Sequence, residues 1–430
     1  MMTTTLDRYR ISSRRRDRKA AEANFRFDLQ GLRAAAVLAV VGHSLWGQPV
    51  GGFVGIDIFL VLSGYLVTAA LLRGGKHSKT MAVGHFLWGR TLRIVPAATV
   101  VLLLTYVAAV LVFPQTRAEQ VGIDAMLAAV FAANWHFAFL GADPFAGPME
   151  ASPLLHFWAL SVGEQFWLVW PLVILAAAMI AAALAWPQAR RTALVAAAAA
   201  VVVVASLAWS LYSSANTPDW AYFNAFARVW TLGVGALLAT AAGLLARTPA
   251  LLKPLLSWAG VAIIVASVFV INETTAGYPA PWALLPVVGA ALVIAAGIGG
   301  EPAFQPLLRN RVSTYLGDIA FALFLVHWPV IVLLAALMHG SVYHYAGVLC
   351  LTFGLALLLH HGIEKPLRHA SREKIRDGMR AMEHGLLHIE RATKVALVAG
   401  LVLVTLALVS YAMRPDALEP AAGITIVQAR

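Results

Sequence analysis

Only one cysteine, Cys350, occurs among 430 residues, so neither an intramolecular disulfide nor a thiolate metal cluster can form. Charge is scarce too: Asp, Glu, Lys and Arg make up 12% of the chain and 60% is hydrophobic, against about 25% charged in a soluble domain. That balance excludes a water-solvated core, and lipid is the expected solvent for most of the chain. Acids are scarcer still, 21 against 32 Lys and Arg. Because the bases sit in short loops between apolar runs, the excess reports topology, and no nucleic-acid partner is expected. A phosphate loop is lacking, since Gly74-Gly75-Lys76 has neither the preceding strand nor the spacing. Gly42-His43-Ser44 is not a nucleophile elbow, because Trp46 stands at the second glycine position. His384 and His388 lack the intervening glutamate of a zinc-hydrolase motif, and no metal is expected.

What the chain has instead is a succession of apolar runs of about 17–25 residues, each able to cross a hydrocarbon core of roughly 30 Å. The expected fold is an all-α polytopic transmembrane helix bundle, with a ten-span core and an appended eleventh span. The spans begin at 34–47 and end at 395–413. Basic clusters at 73–93, 190–191, 247–253, 309–311 and 365–394 belong on the cytoplasmic side, so an even number of crossings separates each from the next. The apolar stretch 124–140 would break that parity and is read as re-entrant or interfacial.

The chain then divides into a cytoplasmic basic tail (1–33), a membrane domain (34–370), an amphipathic cytoplasmic linker helix (371–394), a final span (395–413) and an extracytoplasmic tail (414–430). The basic tail is not followed closely enough by an apolar stretch to be a cleaved signal. A multi-pass protein of the plasma membrane is expected, N-terminus inside and C-terminus outside.

Ionisable residues inside spans are costly and therefore mark function. His43 lies ten positions after Arg33, about 15 Å deeper along a helix. The imidazole can take a proton near neutral pH, and the guanidinium suits phosphate or carboxylate. Asp57, in GGFVGIDIFLVLSGYLVT, has only apolar and glycine neighbours and needs a partner; His43 or Arg33 is the natural one. Arg90 and Arg93 share a helix face and can grip a phosphate-bearing ligand, or simply anchor the helix on the inner side. His156, Ser161, Glu164 and Gln165 gather at the mouth of a span in LLHFWALSVGEQFWLVWP. Arg228 and His327 are likewise embedded, and Pro329 places His327 where a helix bends and frees backbone carbonyls.

Together FRFDLQGLRAAAVLAVVGH, GGFVGIDIFLVLSGYLVT, the Arg90/Arg93 pair, LLHFWALSVGEQFWLVWP, ALFLVHWP and IEKPLR resemble the acyltransferase 3 family of bacterial membrane enzymes over residues 25–370. The resemblance implies transfer of an acyl group, usually acetyl from acetyl-CoA, to a hydroxyl of a surface glycan, lipid or secondary metabolite. It implies His43 as the catalytic histidine, Arg33 as its motif partner, and Arg90 and Arg93 as the pair that binds acyl-CoA; Arg33 is expected at the coenzyme site with them.

Three departures are visible. Arg33 and His43 have nine residues between them where the family has ten, Gly163 stands in place of the first Glu of Glu-Glu-Gln, and Thr231 replaces a glutamate. Ten helical positions leave the two side chains about 80° apart, so either a local bulge near Gly42 restores the register or they do not face one ligand. Some members with an appended span continue into an external esterase-like domain. None is expected here, so the membrane unit acts alone or with a separate extracytoplasmic partner. On this reading Asp57 orients His43, Glu164 joins the catalytic set and positions the acceptor with His156, and Gln165, Arg228 and His327 complete the acceptor site. The rival is a transporter of a small polar or anionic solute, but no internal repeat of the kind transporters carry is seen.

Overall fold

The computed structural model describes residues 25–73, 79–338, 341–367 and 391–413, and among them every regular element is helical. The N-terminal tail through residue 24, the linker helix expected at 371–394 up to residue 390, and the tail 414–430 lie outside the described residues.

α1 (Phe27–Trp46) carries Asp28 in its first turn, where a carboxylate complements the positive end of the helix dipole. It stops at Gly47, whose φ of 66° suits a residue without Cβ. α1 is one continuous helix, so no bulge restores the register of Arg33 and His43. A tight return leads to α2 (Gly55–Arg73) and then α3 (Lys79–Val112). The stretch 124–140 is not one segment: α4 (Gln115–Ala129) and α5 (Ala133–Leu140) are separated by a break at Phe131, which has a φ of 56°. At 15 and 8 residues, neither reaches the roughly 20 a crossing needs.

α6 (Phe157–Ala183), α7 (Gln188–Asn216), the short α8 (Pro218–Phe223), α9 (Ala225–Thr240), α10 (Leu252–Val270), α11 (Leu284–Ala296), α12 (Arg311–Leu337), α13 (Val342–Leu359) and α14 (Arg391–Ala412) follow. Side-chain caps define three of their starts: Asn224 accepts from Phe226 N, Asn310 from Ser313 N and Ser341 from His344 N.

Among the described residues, eight helical segments are long and apolar enough to cross a membrane. The chain is a multi-pass membrane protein. The expected runs that fall short are α1, which carries Asp28 and Arg33 in its first half, and the shorter α9 and α11. At 1.5 Å per residue these last two span about 24 and 20 Å against a core of roughly 30 Å.

α2 packs between α1 and α9, and α12 lies along α1. The α2–α9 crossing is close because a Cβ at Gly64 would strike the Leu232 carbonyl and one at Gly235 the Val61 carbonyl. Asp57 and Arg228 each stand seven residues, two turns, before those glycines. The small-residue contact thereby fixes which charged pair can meet.

Candidate active site

A cavity of about 750 Å³ opens at the end of the bundle that the charge pattern assigns to the outside. The end of α1, the start of α2, the 141–156 loop, the loop before α11 and the facing parts of α12 and α13 enclose it. His43 sits in its wall, in the last turn of α1, with its carbonyl accepting the capping N–H of Gly47. The return loop presses on it from behind: the Phe53 ring meets the imidazole edge-on at 5.2 Å, and a Cβ at Gly52 would collide with His43 Cβ. Nδ1 of His43 is buried without a hydrogen-bond partner, and Nε2 lies 3.2 Å from Glu273 Oε1. Glu273 is half exposed and held on a turn where the Asn272 side chain accepts from Thr274 N and from the Thr275 hydroxyl. As a lone acid in a short loop between apolar runs it gave no sequence signal.

His156 and His327 line the same cavity, with ring centroids 5.4 Å apart. Pro329 accounts for their arrangement. Having no N–H, it leaves the Leu325 carbonyl without its helical donor, and His156 Nε2 donates to that carbonyl at 3.1 Å. His327 Nδ1 donates to Phe324 O at 2.7 Å, which leaves Nε2 as the basic nitrogen of the neutral ring. Two histidines expected at an acceptor site are therefore brought together. His344, in the first turn of α13, joins them in the wall and was not singled out from sequence.

Asp57 does not orient His43. Its Oδ1 accepts from Arg228 Nη1 at 3.0 Å and its Oδ2 from the Tyr278 hydroxyl at 2.5 Å. Burial, with the Asp57 carboxylate next in importance, pushes the Tyr278 hydroxyl well above the ordinary phenol range, so it remains a donor. Arg228 also donates through Nε to Tyr222 O and is surrounded by the rings of Trp158, Tyr222 and Tyr278. Arg228 is therefore caged behind the wall and does not line the cavity as a substrate ligand. Trp158 and Tyr222 present one side to the cavity and the other to this ion pair.

Glu164 and Gln165 also stand apart from the cavity. Glu164 takes both Nε and Nη2 of Arg90, the latter at 2.5 Å, and the same guanidinium lies over the Trp167 ring. One helical turn separates these two α6 residues, so they hold Arg90 from edge and face. Gln165 donates to Phe131 O at 2.9 Å and to Asn134 Oδ1 at 2.8 Å, and accepts from Trp135 Nε1. It stitches the α4–α5 break to α6 and has no place at the acceptor. Arg33 donates to Gln30 Oε1 one turn earlier on α1. Among the described residues, no group of three or more His, Cys, Asp or Glu is placed to hold a metal ion.

The family model for the acyltransferase domain matches residues 26–361, which takes in the cavity and both arginine sites. The chain belongs to the acyltransferase 3 family. This acyltransferase domain is 31% identical over 353 residues to YrhL of Bacillus subtilis, provisionally named a peptidoglycan O-acetyltransferase, covering 79% of the chain and 54% of the relative. It is 26% identical to the peptidoglycan O-acetyltransferase OatA of Listeria monocytogenes, covering 79% and 55%. A provisionally named O-acetyltransferase of Staphylococcus aureus is 26% identical, covering 87% of the chain and 61% of the relative. The chain thus spans a little over half the length of the relatives it matches. No solved structure matches it. Membership of an acyltransferase family favours group transfer over the transporter alternative.

Proposed function

We propose that the chain moves an acyl group, acetyl in the simplest case, from cytoplasmic acyl-CoA to a hydroxyl of a cell-envelope glycan, with His43 as general base. One observation carries the reading: an imidazole in the wall of a large cavity, with Nδ1 buried and Nε2 beside the Glu273 carboxylate. The acceptor hydroxyl displaces the half-exposed Glu273 carboxylate from Nε2 of the neutral ring, whose own proton is on Nδ1, and gives its proton to Nε2 as its oxygen attacks the thioester carbonyl. Glu273, 3.2 Å away, stabilises the imidazolium. The carbon–sulfur bond then breaks, and the coenzyme thiolate takes the proton from Nε2. The relatives' names support a glycan acceptor; a lipid or small-metabolite hydroxyl would undergo the same chemistry.

The coenzyme's phosphates are assigned to Arg93 and to the N–H groups of Arg90 that Glu164 leaves unused. Glu164 and Trp167 are then positioning residues for Arg90. Replacing Arg90 and Arg93 together by Lys retains the positive charge but loses the planar fork. Insertion should be normal, while the apparent affinity for acyl-CoA falls about tenfold or more, measured by equilibrium binding to the purified protein. Unchanged affinity would assign both arginines to membrane anchoring.

The topology that this chemistry needs has eleven crossings, N-terminus inside and C-terminus outside, with α1, α9 and α11 counted as spans. Tags within 141–156 and at the C-terminus should report outside, and one within 371–390 inside. An inside report from 141–156 would place the cavity on the wrong face for a surface glycan.

A further inference from the structure

The cavity continues from His43 toward the start of α13, where the mechanism uses nothing. His344 and Tyr345 line that end. Tyr345 is 37% exposed and faces Trp46, 49% exposed, with ring centroids 6.4 Å apart and planes inclined at 32°. Neither ring hangs on a loose segment. Leu45, which precedes Trp46, packs with Met338 at the end of α12 and with Val348 one turn beyond Tyr345. The Ser341 cap fixes the first turn of α13, and the Gly47 cap fixes the last turn of α1.

An interfacial aromatic belt accounts for an exposed Trp or Tyr near a span end. It does not account for His344 beside them. That residue is only 7% exposed and sits in the cavity wall; its Nδ1 is enclosed, so Nε2 is the nitrogen that a cavity ligand can reach. Among the described residues none hydrogen-bonds that Nε2, which leaves it open to a polar group supplied from outside the fold. The volume points the same way: about 750 Å³ lies within the range of roughly 300–1,000 Å³ that encloses drug-sized ligands, well beyond an acyl group and one hydroxyl.

We propose that His344, Tyr345 and Trp46 form a second sugar subsite, which holds the pyranose ring next to the one being acylated. The apolar C–H face of that ring lies against Tyr345, with Trp46 beside Tyr345 at the rim, and a hydroxyl or amide substituent pairs with His344 Nε2. This deepens the glycan-acceptor reading and rests on it. With the first ring at His43, a second ring held at Tyr345 also gives the protein a means of preferring a polymer to a single sugar.

The probe is a β-1,4-linked tetramer of N-acetylglucosamine, titrated calorimetrically into the full chain in lipid nanodiscs. The parent protein should bind it. Tyr345→Ala and Trp46→Ala should each weaken binding about tenfold, as truncation of a central aromatic anchor does. Tyr345→Phe, which keeps the ring, should stay within about twofold on the same reasoning. Both rings are partly exposed, and a single symmetric size-exclusion peak checks that each variant is folded. No binding by the parent protein, or parent-like binding by Tyr345→Ala, overturns the subsite. The functional reading is settled separately by acyl transfer from acyl-CoA to any hydroxyl acceptor in the same preparation. A preparation that acylates a lipid but ignores the tetramer loses the subsite and keeps the transferase. One that binds the tetramer through Tyr345 but transfers nothing keeps the subsite and loses the transferase.

Discussion

Replacing Arg228 by Met should destabilise the protein by about 3–5 kcal/mol, because the Asp57 carboxylate then stays buried without its countercharge. Asp57 is fully enclosed and Arg228 is 1% exposed, so water cannot substitute for either partner. Tyr278 is then the one side chain that still hydrogen-bonds Asp57, too little for a full negative charge. Asp57→Asn should cost a comparable amount by the converse route, leaving a guanidinium among Trp158, Tyr222 and Tyr278 without its anion. Asp57→Asn combined with Arg228→Met removes both charges and should recover most of the loss, a coupling that thermal unfolding of the purified single and double variants measures directly. The folded double variant should also retain acyl transfer, since Asp57 does not touch His43. A loss of turnover beyond a hundredfold in a stable double variant would return Asp57 to the catalytic machinery.

That pair marks where sequence reasoning stopped. Asp57 announced itself as an aspartate in an apolar run, but its partner lies 171 positions away on a helix that periodicity cannot place beside it. Local pattern identifies helices and their buried charges; it does not choose among neighbours, and His43 was selected for sequence proximity alone. The same limit governs Glu164, which was read as acting at the acceptor because it gathers with His156 at the mouth of a span, eight positions on. Along a helix that distance is about 12 Å, enough to carry it from the cavity to Arg90. Gln165 was misread because its partners, Phe131 and Asn134, belong to a helix break that an unbroken apolar run concealed.

That His43, His156 and His327 are embedded was legible because they stand in apolar runs, and the proline after His327 foretold the freed carbonyl to which His156 now donates. Glu273, Tyr278 and His344 were not legible. They stand in a loop or at a helix start, where an acid, a phenol or an imidazole is unremarkable until the fold turns it inward.

His43 is where the account is most exposed. Its Nε2 is the nitrogen beside Glu273, and its Nδ1 is buried, so a glutamine there preserves bulk and some hydrogen bonding but offers no base. His327, with Nδ1 donating to Phe324 O and Nε2 left basic, is the competing imidazole in the same cavity. If His43 removes the acceptor proton, His43→Gln should lower the transfer rate by roughly 10²–10⁴-fold, while His327→Gln leaves more of it intact. The deciding measurement is the rate at which labelled acetyl passes from acetyl-CoA to a glycan acceptor, with purified, folded parent, His43→Gln and His327→Gln proteins compared side by side. The account predicts collapse of transfer in His43→Gln with the protein still folded; near-parental turnover in that variant would contradict it and move the chemistry to another residue of the cavity.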